Sequence, residues 1–319
     1  MEVNQMKEVR VIGGVLGVII GDIVGLPVQF LTRSTVKKNP VEDIRTWEEG
    51  LPKGIFSDDG SLTLCLVDSM VNVGYDLNDL ARRFLKWYQE GYMTSYGEAF
   101  DIGGTTSVAM DRLIEGVSPL RAGPAEGRDN GNGSLMRILP AALYFAHLPD
   151  TELIKRVCEV SKITHGHPRS LLGCCIYAIM AKRLFAGDTP YEAYQCLQRT
   201  APELFKETVM KDELKHYHRI LDGRLPELQE DEISSSGYVV HTLEAAMWAF
   251  LTTKNFKEAI LKVVNLGDDS DTTGAVCGGL AGIYYGKHGI PEDWIRTMVK
   301  RDKIIPLVEK FAKIVVDLN

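Results

Sequence analysis

Two series of glycines spaced four residues apart constrain this 319-residue chain more than any other feature: Gly13, Gly17, Gly21 and Gly25, then Gly274, Gly278, Gly282 and Gly286. Residues four apart share one face of an α-helix, so each series clears a stripe along which another backbone can approach closely. Glycine is a poor helix former, and a chain that spends eight of them in this way is expected to build its core from tightly packed helices. Each stripe also lies beside a cluster of acidic and hydroxyl residues, so close packing would draw distant parts of the chain to one place.

The rest of the pattern agrees. Apolar residues recur at helical spacing over 62–73, 77–90, 151–163, 170–186, 189–200, 241–253 and 256–266, while strand alternation is scarce. The expected fold class is all-α, a single compact multi-helix domain spanning residues 1–319. Within it, the charged segment 206–236 reads as a solvated helix pair or surface insertion, and His216 and His218 read as part of its solvated face. With 45% hydrophobic residues, a chain of this length can bury a large core without a disulfide or structural metal.

Several function classes recede on the same grounds. A formal charge of -7 and the absence of a basic run argue against nucleic acid as a partner. The six cysteines, Cys65, Cys158, Cys174, Cys175, Cys196 and Cys277, form no Cys-x-x-Cys pair and read as reduced core residues of a cytoplasmic protein. The apolar run Val11–Ile20 follows Lys7 and Arg10 like a weak signal peptide, but glycines interrupt it and it continues through Asp22. It reads as a buried helix, not a membrane span. With no long apolar stripe left over, a monomer is expected.

The residues that carry chemistry fall in five places. Ser57, Asp58, Asp59 and Gly60 precede one apolar helix, and Asp268, Asp269, Ser270, Asp271, Thr272 and Thr273 precede another. Either cluster alone is explained as a helix cap. Brought together, they would need a cation, and their oxygen-only donors suit Mg²⁺ or Mn²⁺ better than Zn²⁺. Asp101–Thr106 and Asn130–Arg137 are glycine and hydroxyl loops able to cradle a ribose or phosphate on backbone N–H groups. Thr164–Pro168 carries His165 and His167, which suit hydrogen bonding better than zinc because no third ligand accompanies them.

In this order, these elements resemble the ADP-ribosylglycohydrolase family. The resemblance opens at Gly21, Asp22, Gly25 and Pro27 and continues through the five stretches above and 237–248 to 267–286 and 291–294. It implies a hydrolase that releases ADP-ribose from a modified protein or small molecule, with two Mg²⁺ or Mn²⁺ ions at the base of a cleft. Ser57, Asp58, Asp59, Asp269, Asp271 and Thr272 would be the metal ligands. Asp22, Gly103, Gly104, Thr105, Thr106, Asn132, Gly133, Ser134, Met136, His165 and Tyr238 would contact the ADP-ribose, and Asp59, Asp101 and Gln29 would stand nearest the chemistry at C1″ of the distal ribose. Asp101 matches an acidic residue of relatives that act on ADP-ribosylarginine, which favours an arginine linkage.

Three positions depart from the family pattern. Gln29 stands where many members have Glu, Gly60 where Thr is usual, and Asp268 where Gly is common. An amide cannot act as a general base, so a second reading is a weakened member that binds ADP-ribose or a nucleotide as a sensor. A third keeps the metals and changes the substrate to another ADP-ribose derivative or a phosphoester.

Overall fold

In the computed structural model, which describes residues 3–319, the two glycine stripes face each other. Seven helices frame the core and the cleft and are numbered in chain order: α1 (Val3–Gly25), α2 (Asp58–Asn72), α3 (Gly104–Ile114), α4 (Pro168–Ala186), α5 (Val239–Leu251), α6 (Ser270–Tyr285) and α7 (Arg301–Leu318). Further helices and 3-10 turns fill the intervals, and no strand forms among the described residues beyond one bridge between Gly131 and Tyr238.

The stripes interlock in antiparallel register. Gly13 meets Gly282, Gly17 meets Gly278, Gly21 meets Gly274, and Gly25 meets the backbone of Ser270 and Asp271. A Cβ on Gly17 would sit 2.8 Å from the carbonyl carbon of Gly278 and nearer still to its oxygen, so backbone touches backbone with no room for a side chain. Every residue of α1 from Val11 to Gly25 is buried. This helix is long and apolar enough to cross a membrane by composition, but 94% of its apolar window is buried within the fold. It is the core helix of the domain, longer than the run Val11–Ile20 that marked it in the sequence.

Helix ends follow local chemistry. Ser57 caps α2 by accepting from the Asp59 N–H, which starts the helix four residues before the apolar pattern does. His167 caps α4 through its Nδ1, Pro168 takes the first turn, and Gly187 ends the helix at a φ of 113°. The helix expected over 77–90 spans Leu77–Glu90.

The charged segment 206–236 differs from its expectation. It forms 3-10 turns and a single turn of helix rather than a helix pair. Met210, Tyr217, Ile220, Leu225 and Ile233 are buried, and the Trp248 indole donates to the Leu228 carbonyl at 2.9 Å. His216 is half-buried, with its Nε2 2.8 Å from an Arg169 guanidinium nitrogen, whereas His218 is exposed. Irregularly spaced apolar residues scattered among charges conceal such packing from a periodicity reading.

Candidate active site and metal centre

The antiparallel pairing brings the last turn of α1 against the first turn of α6. Asp22 sits one residue past Gly21, and Asp271 lies where Gly25 makes its contact. The start of α2 is pinned to the same point, because the Asp22 carboxylate accepts from the N–H of Ser57 at 2.9 and 3.0 Å and of Gly60 at 2.9 Å. Oxygens of Asp22, Asp59 and Asp271 therefore lie within 4.8 Å of one another, all fully buried. Ser57 Oγ donates to Asp59 at 3.0 Å, and the Thr272 hydroxyl reaches the same carboxylate at 3.4 Å.

Two carboxylate oxygens at this point, Asp59 Oδ1 and Asp271 Oδ2, are buried with no partner. Burial above all, then the charges of their neighbours, raises the Asp58, Asp59 and Asp271 carboxyls well above the usual range. Asp269 is raised by burial too, offset by hydrogen bonds that include one from Asn132. Burial lifts Asp22 to about 7 even though the Ser57 and Gly60 N–H groups oppose the shift. Such a cluster must hold protons or a cation. Its donors are all oxygen and two of them are unpartnered, so the residues fit a hard divalent cation. Both Asp22 oxygens are already engaged by backbone donors, which makes that residue a brace for Ser57–Gly60 more than a ligand.

Above the cluster lies a cleft of about 230 Å³ whose wall includes Gln29, Phe30, Asp58, Asp101, Gly103–Thr106, Gly131–Gly133, Met136, His165, Asp269 and Thr272. Gln29 Nε2 donates to Asp101 Oδ2 at 2.5 Å, and Asp101 itself holds a left-handed φ of 57°. Asn132 bridges the cleft floor, its amide donating to Asp269 at 2.7 Å and to Thr242 at 2.9 Å. Gly133 is required by the His165 ring, which stands 2.8 Å from where a Cβ would be.

His165 has a defined chemical state. Burial and the nearby Arg137 charge push it down to about 3, so it is neutral. Arg137 donates to Thr164 Oγ1 at 2.5 Å, and that hydroxyl lies 2.9 Å from His165 Nδ1. The chain is satisfied when Thr164 donates to Nδ1, which leaves Nε2–H as a donor on the cleft side.

A second lobe of about 390 Å³ continues past Gly131 and Gly237 to Arg128, Asn130, Arg169 and Tyr238. The two lobes are joined by backbone pairing, with Asn132 N–H donating to Gly237 O at 3.1 Å and Val239 N–H to Asn130 O at 3.0 Å. Arg169 holds Tyr238 by a 3.2 Å hydrogen bond to its hydroxyl and is itself held by Glu213 at 2.7 Å.

Most residues singled out in the sequence gather in this one place, but four sit elsewhere than expected. Asp22 lies beneath the cleft and not at the substrate, because its carboxylate is consumed by the α2 N–H groups. Ser134 turns into the core, where its hydroxyl accepts from Ser161 at 2.8 Å. Asp59 is fully buried below the wall, and among the α2 acids it is Asp58 that lines the cleft. Asp268 adds no charge to the floor: it is exposed, and its backbone pairs with Phe30 and Leu31. Gly60 leaves a space that the Phe56 ring fills, 2.8 Å from the missing Cβ. Sequence reasoning passed over Phe30, Gly237 and Arg169 as site residues and gave Arg137 no role, since a lone arginine or glycine carries no spacing signal.

Comparison with known proteins gives the family and the fold. The family model described as ADP-ribosylglycohydrolase matches residues 4–317. The chain is 32% identical over 303 residues to the ADP-ribosylarginine hydrolase Tri1 of Serratia proteamaculans, covering 93% of this chain and 77% of that one. It is 29% identical to the ADP-ribosyl-(dinitrogen reductase) glycohydrolase of Rhodospirillum rubrum, covering 91% and 90%. A solved structure titled as an ADP-ribosylglycohydrolase-related protein complex superposes with a TM-score of 0.80 at 29% identity, covering 98% of this chain and 99% of that one.

Proposed function

Because the chain belongs to the ADP-ribosylglycohydrolase family, we propose that it is a divalent-metal-dependent hydrolase that releases ADP-ribose from ADP-ribosylated arginine on a protein target. The observation that carries the metal dependence is the pair of unpartnered carboxylate oxygens on Asp59 and Asp271, buried beneath a cleft floored by Asp58, Asp269 and Thr272. Ser57, Asp58, Asp59, Asp269, Asp271 and Thr272 would hold two Mg²⁺ or Mn²⁺ ions. When bound, such ions supply positive charge that grips the ribose diol and acidifies a water.

The chain's own groups do the remaining work. The N-terminal N–H groups of α3 at Gly104–Thr106, the backbone around Gly133 and the His165 Nε2–H receive the pyrophosphate. The adenine end extends into the second lobe beside Tyr238. Cleavage at C1″ builds positive charge on the distal ribose, which sits above the floor that Asp58 and Asp269 form. Asp101, fixed by Gln29, faces the leaving guanidinium and pairs with it as the bond breaks.

In this arrangement Gln29 positions Asp101 and needs no base of its own. One fact favours a second reading, binding with little turnover: the Gln29 amide spends its donor on Asp101 and cannot take up a proton. Release of free ADP-ribose from arginine-ADP-ribosylated protein, with Mn²⁺ or Mg²⁺ and with a chelator, tests the proposal. Chelator-sensitive release detected by mass spectrometry is expected. Tight ADP-ribose binding without release would select the second reading.

A further inference from the structure

Outward from Asp101 the surface carries a rank of stacked aromatic rings. Trp47 lies on Phe100 with centroids 4.6 Å apart and planes 20° from parallel, and Phe100 lies on Tyr96 at 5.3 Å and 30°. Phe100 is the residue before Asp101, which lines the cleft, so the rank is tied to the cleft wall by one peptide bond. Asp101 is hydrogen-bonded to Gln29, and the next residue, Phe30, lines the cleft, is 73% exposed and holds a left-handed φ of 62°.

An exposed phenyl ring on a left-handed backbone is unfavourable twice over, once in solvent and once in strain. It is held there deliberately by the fold: the Phe30 N–H donates to the Asp268 carbonyl at 2.6 Å and the Asp268 N–H to the Leu31 carbonyl at 2.8 Å. Acidic groups accompany the rings. Glu48, Glu49 and Glu98 are exposed on the same segments, and the Tyr96 phenol is raised by burial and then by the charges of Glu98 and Glu48. Arg45, the base nearest in sequence, is committed to the carbonyls of Asn39 and Pro40.

Flat rings with carboxylates close by match one chemistry best, the guanidinium or ammonium group of a basic side chain, which stacks on a free ring face and pairs with the acid. We propose that the rank from Phe30 and Asp101 to Phe100, Trp47 and Tyr96 is a docking surface for a basic segment of the target, so that the preferred substrate is an ADP-ribosylated arginine flanked by further lysines or arginines. This rests on the arginine linkage proposed for the cleft. The rank discriminates against acidic flanks, because Glu48 and Glu98 repel them.

The test compares three substrates: an ADP-ribosylated peptide with lysines beside the modified arginine, the same peptide with glutamates there, and free ADP-ribosylarginine. The full-length protein is compared with Tyr96→Ala and with Glu48→Lys combined with Glu98→Lys, all exposed positions outside the cleft. The wild type is expected to prefer the lysine-flanked peptide. The variants lose about two- to fivefold in kcat/KM on it, through KM, and nothing on free ADP-ribosylarginine. Fluorescence anisotropy of the lysine-flanked peptide reads docking without turnover and is expected to weaken by a similar factor. Chelator-sensitive hydrolysis of all three substrates with no preference overturns the docking surface and leaves the function intact. Peptide binding that depends on Tyr96 and the glutamates, without hydrolysis of any substrate, overturns the arginine linkage and keeps the surface.

Discussion

Replacing Gly17 with alanine tests whether the glycine stripes hold the site together. A Cβ there would stand 2.8 Å from the Gly278 carbonyl carbon, and ordinary contact begins at 3.4 Å, so α1 and α6 must part locally by 0.6 Å or more. Gly14→Ala is the control on the same helix, because its Cβ would meet mainly the Ile283 and Leu139 side chains, at 2.8 and 3.3 Å, and side chains can rotate away. Alanine gains about 1 kcal/mol of helix propensity at either position. Overpacking costs about 1–3 kcal/mol, and the carbonyl wall at Gly17 calls for the upper end. Gly14→Ala should therefore be near neutral, and Gly17→Ala should lose about 2 kcal/mol, or roughly 3 °C of melting temperature for a chain of this length. Because Asp22 and Asp271 ride on the separated helices, the rise in melting temperature on adding Mn²⁺ should also shrink in Gly17→Ala alone. Differential scanning calorimetry with and without Mn²⁺ measures both. Equal melting temperatures for the two variants would refute the backbone-contact argument.

Three further outcomes are expected. Asp271→Asn removes a raised, unpartnered carboxylate, so the metal-free protein should melt higher than wild type while Mn²⁺-induced stabilisation, about 2.7 kcal/mol at a hundredfold excess over Kd, and hydrolysis are both lost; a melting scan with and without Mn²⁺ shows it. For the pH dependence, Asp22 is raised from 3.8 to about 7 and its four neighbours move in the same direction, so the folded state holds more protons than the unfolded one. Their contribution is full below the ordinary carboxylate range and is lost as pH rises through about 7, so in chelator the protein should melt lower at about pH 8 than at about pH 5, with Mn²⁺ opposing the loss. Gln29→Glu sets a second carboxylate where an amide now donates to Asp101 at 2.5 Å; the pair must share a proton, and turnover should fall at neutral pH and recover on acidification, whereas a gain at neutral pH would reinstate Glu as the missing base.

How far the sequence carried these conclusions depended on the kind of signal. The glycine stripes were legible because a helix repeats every 3.6 residues, and four-residue spacing leaves one face bare whatever the partner. That the two stripes pack on each other was not legible, since each needs only some backbone to approach. The acidic clusters stood out by composition, and their meeting follows from the helix pairing. Asp22 was misplaced because nothing in Gly21-Asp22 says that its carboxylate will be spent on the N–H groups of Ser57 and Gly60, 35 and 38 residues away. Ser134 failed for a related reason: a residue in a glycine loop can present its backbone to the cleft while its hydroxyl serves the core. Phe30 escaped notice because exposure and a left-handed φ are properties of the folded chain, without any trace in residue spacing.

Capping and cation binding are competing explanations of the same aspartates, and magnitudes decide between them. A carboxylate at a helix N-terminus gains about 0.3–1 kcal/mol from the dipole, and up to about 2 in partly buried sites. Burying an ion without a partner costs several kcal/mol. Asp58 and Asp59 sit in the first turn of α2 and Asp271 in that of α6, yet all three are held well above the carboxylate range, so the cap energy has not offset the burial. Asp22 has no favourable dipole at all, standing near the C-terminal end of α1, where negative charge is repelled. Asparagine or serine would cap these helices at lower cost. Four buried aspartates with two bare oxygens between them call for protons or a cation in the gap; on the metal reading proposed above, the metal-free protein is expected to strengthen as carboxylates are removed and the loaded protein to weaken.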